Sequence, residues 1–242
     1  MKTVQVRKNA FLMLGILAFV AVAMSGCLKE AKTSAPTPKT YISLMHLAPW
    51  GPPVEVYFDN TKASSAINAG TVASSYSALD PGIFAISFKK GGGDSLVASI
   101  PAALYDSSKY FTLLLYNYDS THVAATRITD DYSQLTSDRS FFRFFHMAPE
   151  IGDVDVYFDN TMVSSTRSFA DNVSVDYYNQ FTGVTPSNYT VSVKKSGTDS
   201  VIAQSTSTFP LTQFNAFTIY LRGKKSGTGI NAIGIDYLQS VD

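Results

Sequence analysis

The sequence predicts an all-β chain: a lipoprotein signal and flexible tether, then two tandem antiparallel β-sandwich domains. Three observations carry this expectation. Two blocks of about a hundred residues repeat the same motifs in the same order. Inside each block apolar residues alternate with polar ones, and turn-forming residues separate the alternating runs.

Residues 1–26 read as a signal peptide. Lys2, Arg7 and Lys8 give a basic start without an acid, residues 11–24 are almost unbroken apolar, and Ser25-Gly26 supply small residues before the cut. The apolar run is short for a membrane-spanning helix, which needs about 20 residues. Met24-Ser25-Gly26-Cys27 resembles a lipobox, with Met24 where leucine is usual. That resemblance implies acylation of the Cys27 sulfur, palmitate included, and cleavage that makes Cys27 the mature N-terminus. Two or more acyl chains anchor a protein stably where one does not. The expected location is therefore the outer membrane, lipid-anchored, on its periplasmic or surface face; Leu28 lacks the aspartate that commonly retains lipoproteins on the inner membrane.

Residues 27–40 form the lipidated N-terminus and tether. The stretch 29–40 carries Pro36 and Pro38 and no aromatic residue, and at about 3.1 Å per residue it reaches a few tens of Å.

The first sandwich is expected over residues 41–133 and the second over 134–242. Met45-His46-Leu47-Ala48-Pro49 recurs as Phe145-His146-Met147-Ala148-Pro149, and Val54-Glu55-Val56-Tyr57-Phe58-Asp59-Asn60 as Val154-Asp155-Val156-Tyr157-Phe158-Asp159-Asn160, both offset by 100. Phe88-Lys89-Lys90 matches Val193-Lys194-Lys195 at 105, and Phe111-Thr112 matches Phe217-Thr218 at 106, so the second copy carries a few inserted residues. Val54, Val56 and Phe58 share one strand face, as do Phe84, Ile86 and Phe88, then Tyr189, Val191 and Val193, then Phe217, Ile219 and Leu221. Asp59-Asn60, Asp80-Pro81-Gly82, Gly91-Gly92-Gly93-Asp94, Asp159-Asn160 and Ser196-Gly197-Thr198-Asp199 supply the turns. No stretch after the signal has a helical period, and the polar residues 129–140 are expected to join the copies. An immunoglobulin-like arrangement suits this pattern.

Composition removes several function classes. Cys27 is the single cysteine, so neither disulfides nor cysteine-based zinc and redox sites are available to the mature body. Lys+Arg and Asp+Glu stand at 19 each, and this balance leaves no basic excess that would point to nucleic acid. Aromatics are plentiful, with 14 Tyr, 16 Phe and 1 Trp, which suits sheets rather than a disordered chain.

The pair His-x-Ala-Pro and Val-acid-Val-Tyr-Phe-Asp, at His46–Asn60 and again at His146–Asn160, resembles the bacterial domain-of-unknown-function 4397 family. The resemblance implies a β-sandwich on an exported or surface protein, present twice, and brings no established catalytic or binding residues. Glu55 stands where the family has aspartate.

Each motif histidine, His46 or His146, is followed nine residues later by an acid, Glu55 or Asp155. Such a pair on neighbouring strands could orient an imidazole or hold a metal. Ile42, Leu44 and His46 share a face, however, as do Phe142, Phe144 and His146, so both rings are expected against the core, and all four motif residues, His46, Glu55, His146 and Asp155, are expected to be structural. No Gly-x-Ser-x-Gly nucleophile elbow accompanies them. Asp153, Asp155 and Asp159 are spaced like calcium ligands, but a mid-strand and a turn position do not make one tight loop. No metal and no cofactor is expected, and Gly91-Gly92-Gly93 joins strands rather than opening a helix. Trp50, Tyr76, Tyr177 and Tyr178 fall in turn-rich stretches and are the ligand-facing candidates, since exposed aromatics stack on sugars and form interface hot spots. Asp94-Ser95-Leu96, Asp119-Ser120-Thr121 and Asp199-Ser200-Val201 fit an Asp-(Ser/Thr)-apolar O-glycosylation pattern.

The function expected is a non-enzymatic structural or adhesive interaction module, held to the membrane by its lipid and meeting an envelope protein. The alternative is a glycan-binding accessory lipoprotein built on Trp50 and the tyrosines. A hydrolase using His146 and Asp155 is the third reading.

Overall fold

Strands that alternate must lay one face on a partner sheet, and both copies do so. The computed structural model describes residues 37–241, so the signal peptide, Cys27 and residues 27–36 of the tether lie outside the described residues. The first copy comprises β1 (Thr40–His46), β2 (Val54–Phe58), β3 (Thr61–Lys62), β4 (Ser77–Leu79), β5 (Gly82–Lys90), β6 (Leu96–Tyr105), β7 (Tyr110–Asn117) and β8 (Val123–Asp130). Its two sheets run β4-β1-β7-β8 and β3-β2-β5-β6. Val54, Val56, Ile86 and Phe88 meet Ile42, Phe111, Leu113 and Leu115 in the core between them.

The second copy repeats the plan with β9 (Ser140–His146), β10 (Val154–Phe158), β11 (Thr161–Arg167), β12 (Thr182–Val184), β13 (Ser187–Tyr189), β14 (Val191–Lys195), β15 (Val201–Gln204), β16 (Phe209–Leu211), β17 (Ala216–Arg222) and β18 (Gly234–Val241). Its sheets run β12-β9-β17-β18 and β11-β10-β14-β15, with a small β13-β16 pair beside them. Phe142, Phe144, Val154, Val156, Phe158 and Phe217 are among the residues of its core. The turns at Asp59 and Asp159 hold left-handed backbone, with φ of 50° and 52°. Each aspartate Oδ1 accepts a backbone N–H across the turn, from Ala85 and Thr190 respectively, both at 2.9 Å.

The all-β sandwich expectation stands, with additions that alternation could not supply. β1 runs parallel to β7, and β9 parallel to β17, amid otherwise antiparallel pairing. Lettered A to H in chain order, the first copy reads D-A-G-H over C-B-E-F, whereas the immunoglobulin order is ABED over CFG. The joining segment is shorter than 129–140, because β8 runs to a buried Asp130 and β9 starts at Ser140. Helix does occur as single turns, α1 (Asp171–Ser174) and 3-10 turns at Asp176–Asn179 and Gly229–Asn231; elements this short display no period.

A third core joins the copies. Even-numbered residues of β1 and β9 point into their own sandwiches, while Met45 and Leu47 of the first copy pack with Phe145, Met147 and Tyr220 of the second, together with Leu114 and Ile128. The β1 and β9 sheets therefore face one another, both sides of β9 are buried along its whole length, and Pro38–Asp242 forms one compact unit.

Candidate functional site

The two motif histidines are fully buried. The Nε2–H of His46 donates to the Pro52 carbonyl at 3.0 Å, and that of His146 to Gly152 at 3.1 Å, closing the bend after each His-x-Ala-Pro. His146 Nδ1 accepts from the Ala148 N–H at 3.4 Å. Burial pushes both imidazoles below their ordinary value.

The acids do not join them. Glu55 lies on the outer face of β2, where its side chain pairs with Lys62 at 2.8 Å and accepts from the Gly92 N–H at 3.2 Å. The Lys62 bond, then the Gly92 bond, holds its carboxyl below the usual range. Asp155 accepts from Thr166 N–H at 2.7 Å, Ser196 Oγ at 3.0 Å and Gly197 N–H at 2.9 Å. Its carboxyl is lowered, chiefly by the Thr166 bond. Glu55 and Asp155 thus clamp the glycine turns that follow β5 and β14. Asp153 accepts from Ser168 Oγ at 2.7 Å and Asp159 from the Thr190 N–H, so the three spaced aspartates each serve a separate bond. Among the described residues no three His, Cys, Asp or Glu side chains converge as metal ligands.

The four aromatic candidates do not form one platform. Trp50 is half-buried, and its backbone N–H donates to Asn117 Oδ1 at 3.1 Å, tying its turn to the end of β7. In the second copy Glu150 makes the equivalent tie by accepting from the Lys225 N–H at 2.7 Å. Tyr76 is turned inward: its hydroxyl donates to Asp130 at 2.8 Å and meets the Tyr132 hydroxyl at 2.5 Å, which corrects the ligand-facing reading. Tyr177 is 70% exposed and stands edge-on to Tyr178, whose ring lies under the Arg167 guanidinium at 4.0 Å. Ser95, Ser120 and Ser200 are exposed.

Sequence reasoning missed the polar cluster between the copies. Arg143 of β9 reaches across to Asp130 of β8, Nη1 to Oδ1 2.6 Å, with side chains 1% and 0% exposed. Asp130 Oδ2 accepts from Thr112 at 2.7 Å as well as from Tyr76. Arg143 Nε donates to Thr218 Oγ1 at 2.9 Å, and its guanidinium lies between the Phe145 and Phe181 rings at 4.8 and 4.5 Å. The readable signal was Arg143 itself, a lone cation inside the run Phe141-Phe142-Arg143-Phe144-Phe145.

Sequence reasoning also missed an opening between the sheets of the first sandwich. Ile42, Leu44 and Leu113 of one sheet and Val56 and Phe58 of the other wall a pocket of about 320 Å³. Ala63, Ile67, Ala73 and Leu79 edge it. The corresponding place in the second copy retains about 140 Å³ beside Phe142, Phe144, Val163 and Arg167.

Two packed sandwiches, each with its histidine turned to backbone and its motif acid clamping a turn, define a duplicated β-sandwich class. Residues 40–157 match the family model described as domain of unknown function (DUF4397). The matched stretch takes in all of the first copy and both occurrences of the His-x-Ala-Pro and Val-acid-Val-Tyr motif, which supports the family on the residues that carried the resemblance. No curated protein matches the chain.

Proposed function

We propose that this protein is an exported, lipid-anchored lipoprotein whose joined sandwiches act as a non-enzymatic interaction module of the cell envelope. The observation that supports it most is the shared core with the Arg143–Asp130 pair across it. Joined in this way, the copies hold their outer loops at a set spacing, so a partner meets both without the entropy of ordering a linker. The histidines add support, because each Nε2–H is already engaged by a carbonyl.

Anchoring is tested on the full chain by metabolic labelling with an alkyne palmitate and membrane fractionation. Labelling that vanishes in Cys27→Ala, with release from the membrane fraction, is the expected result. Label retained in that variant would overturn it. The glycan-binding alternative now rests on Tyr177, the exposed member of the Tyr177–Tyr178 pair. A polysaccharide that raises the unfolding temperature of the full chain, and fails to raise it in Tyr177→Ala, would move the reading there.

A further inference from the structure

We propose that the first sandwich binds a single alkyl chain of about ten carbons in the pocket between its sheets. This inference goes beyond the proposed interaction role and does not rest on it. The second copy supplies the comparison, because equivalent backbone positions can be paired by register. Ile42 lies opposite Ser77 as Phe142 lies opposite Thr182, and Val54 lies opposite Ile67 as Val154 lies opposite Arg167.

In the second copy this space is taken by the chain itself. Phe142 and Phe144 replace Ile42 and Leu44, Val163 replaces Ala63, and Arg167 replaces Ile67. Arg167 is fixed there by Asp171 at 2.6 Å and by the Phe144 carbonyl at 2.8 Å, and Tyr178, from the 3-10 turn that follows α1, closes over it. The first copy has smaller side chains at these places and no helical turn between β3 and β4. Its pocket keeps more than twice the volume, about 320 Å³ against about 140 Å³.

The walls define the ligand chemistry. Among the described residues no charged side chain lines the pocket. Four hydroxyl side chains also line it, Ser43, Ser64, Thr71 and Ser77, and Ser64 Oγ already accepts the Val56 N–H at 2.9 Å. None of the buried polar atoms left without a hydrogen bond belongs to a lining residue. Nine apolar residues wall the pocket and no charge offsets an ion there, so a bound group is hydrocarbon along its buried length, with any polar end in the solvent-facing mouth. An engineered apolar cavity of about 150 Å³ holds benzene, and ligand pockets begin at about 300 Å³. If a methylene takes about the space of a water molecule, about 30 Å³, the pocket holds about ten carbons.

The test uses the full chain in phosphatidylcholine vesicles with a C12 fatty acid carrying a terminal diazirine, photolysed and mapped by peptide mass spectrometry. A parallel arm carries the same diazirine chain on a phosphatidylcholine, and separates free acid from membrane lipid as the source of the alkyl chain. Label concentrated at least tenfold on residues 40–79 over their counterparts 140–184, in either arm, is the expected result. In I42F/L44F, which copies the second sandwich, that enrichment should fall to near unity while cooperative unfolding is retained. Equal labelling of the two copies in the wild-type chain would overturn the proposal. So would enrichment that persists in a folded I42F/L44F. The comparison between copies within one molecule decides the matter even where the variant does not fold.

Discussion

Removing one member of the Arg143–Asp130 pair exposes the energetics of the joint between copies. Both side chains are shielded from water, so a partner left behind is an uncompensated buried charge, costing about 3–5 kcal/mol. The two single variants are not equivalent. In Asp130→Leu the guanidinium cannot discharge, whereas in Arg143→Met the carboxylate keeps the Tyr76 and Thr112 donors. Asp130→Leu is therefore expected near the top of that range and Arg143→Met near the bottom. For a body of about 200 residues, 3–5 kcal/mol lowers the unfolding midpoint by about 10 °C. The double variant Asp130→Leu/Arg143→Met replaces the pair by apolar groups of similar size and is expected within about 1 kcal/mol of wild type. Thermal or urea unfolding of the four proteins gives the coupling energy as a double-mutant cycle. Single variants each costing under about 1 kcal/mol, or a double variant costing their sum, would refute the reasoning.

Three further outcomes follow from named contacts. His46 and His146 titrate below 6.5 in the fold and at about 6.5 when unfolded, so the unfolded chain binds more protons between those values. Their contribution is complete above pH about 6.5 and declines as pH falls below it; urea midpoints measured from pH 8 to 5 should fall in that window, and His46→Gln should flatten the slope. Tyr220 is pushed up to about 12 by burial, so its contribution is present below pH 10 and is lost as pH rises toward that value. A Cβ on Gly223 would stand 2.1 Å from the Ala232 carbonyl oxygen, at φ +91°, whereas one on Gly92, at φ +74°, meets nothing within 4 Å. Gly223→Ala should cost more than about 4 kcal/mol and Gly92→Ala about 1–2 kcal/mol, read by unfolding midpoints; similar costs would contradict the packing described.

How much of this was legible depended on whether a signal was local. The copies, the strand faces and the turns could be read because period two and Asp-Asn or Gly clusters act within a few residues. The parallel β1–β7 and β9–β17 pairs could not, since they join segments about 70 residues apart and leave no mark on either. The third core was half-legible. Phe141-Phe142-Arg143-Phe144-Phe145 is apolar on both faces, the mark of a strand covered on two sides, but the alternation of 142, 144 and 146 drew attention to one face alone. Tyr76 and Asp130 were misplaced for a related reason. Both stand in or beside polar, turn-rich sequence that reads as surface, yet Asp130 is buried at the joint against Arg143 of the other copy, and Tyr76 is half-buried with its hydroxyl on that carboxylate. The pocket was invisible because it is a difference in fill: Ile42 and Leu44 are as apolar as Phe142 and Phe144.

Scanning calorimetry of the full chain tests the joined-module account most directly. If the third core and the buried pair make the two sandwiches one cooperative body, the chain unfolds in a single transition whose calorimetric and van't Hoff enthalpies agree. Asp130→Leu should then shift that whole transition downward. Two separable transitions in the wild-type chain, with only one moved by Asp130→Leu, would contradict it.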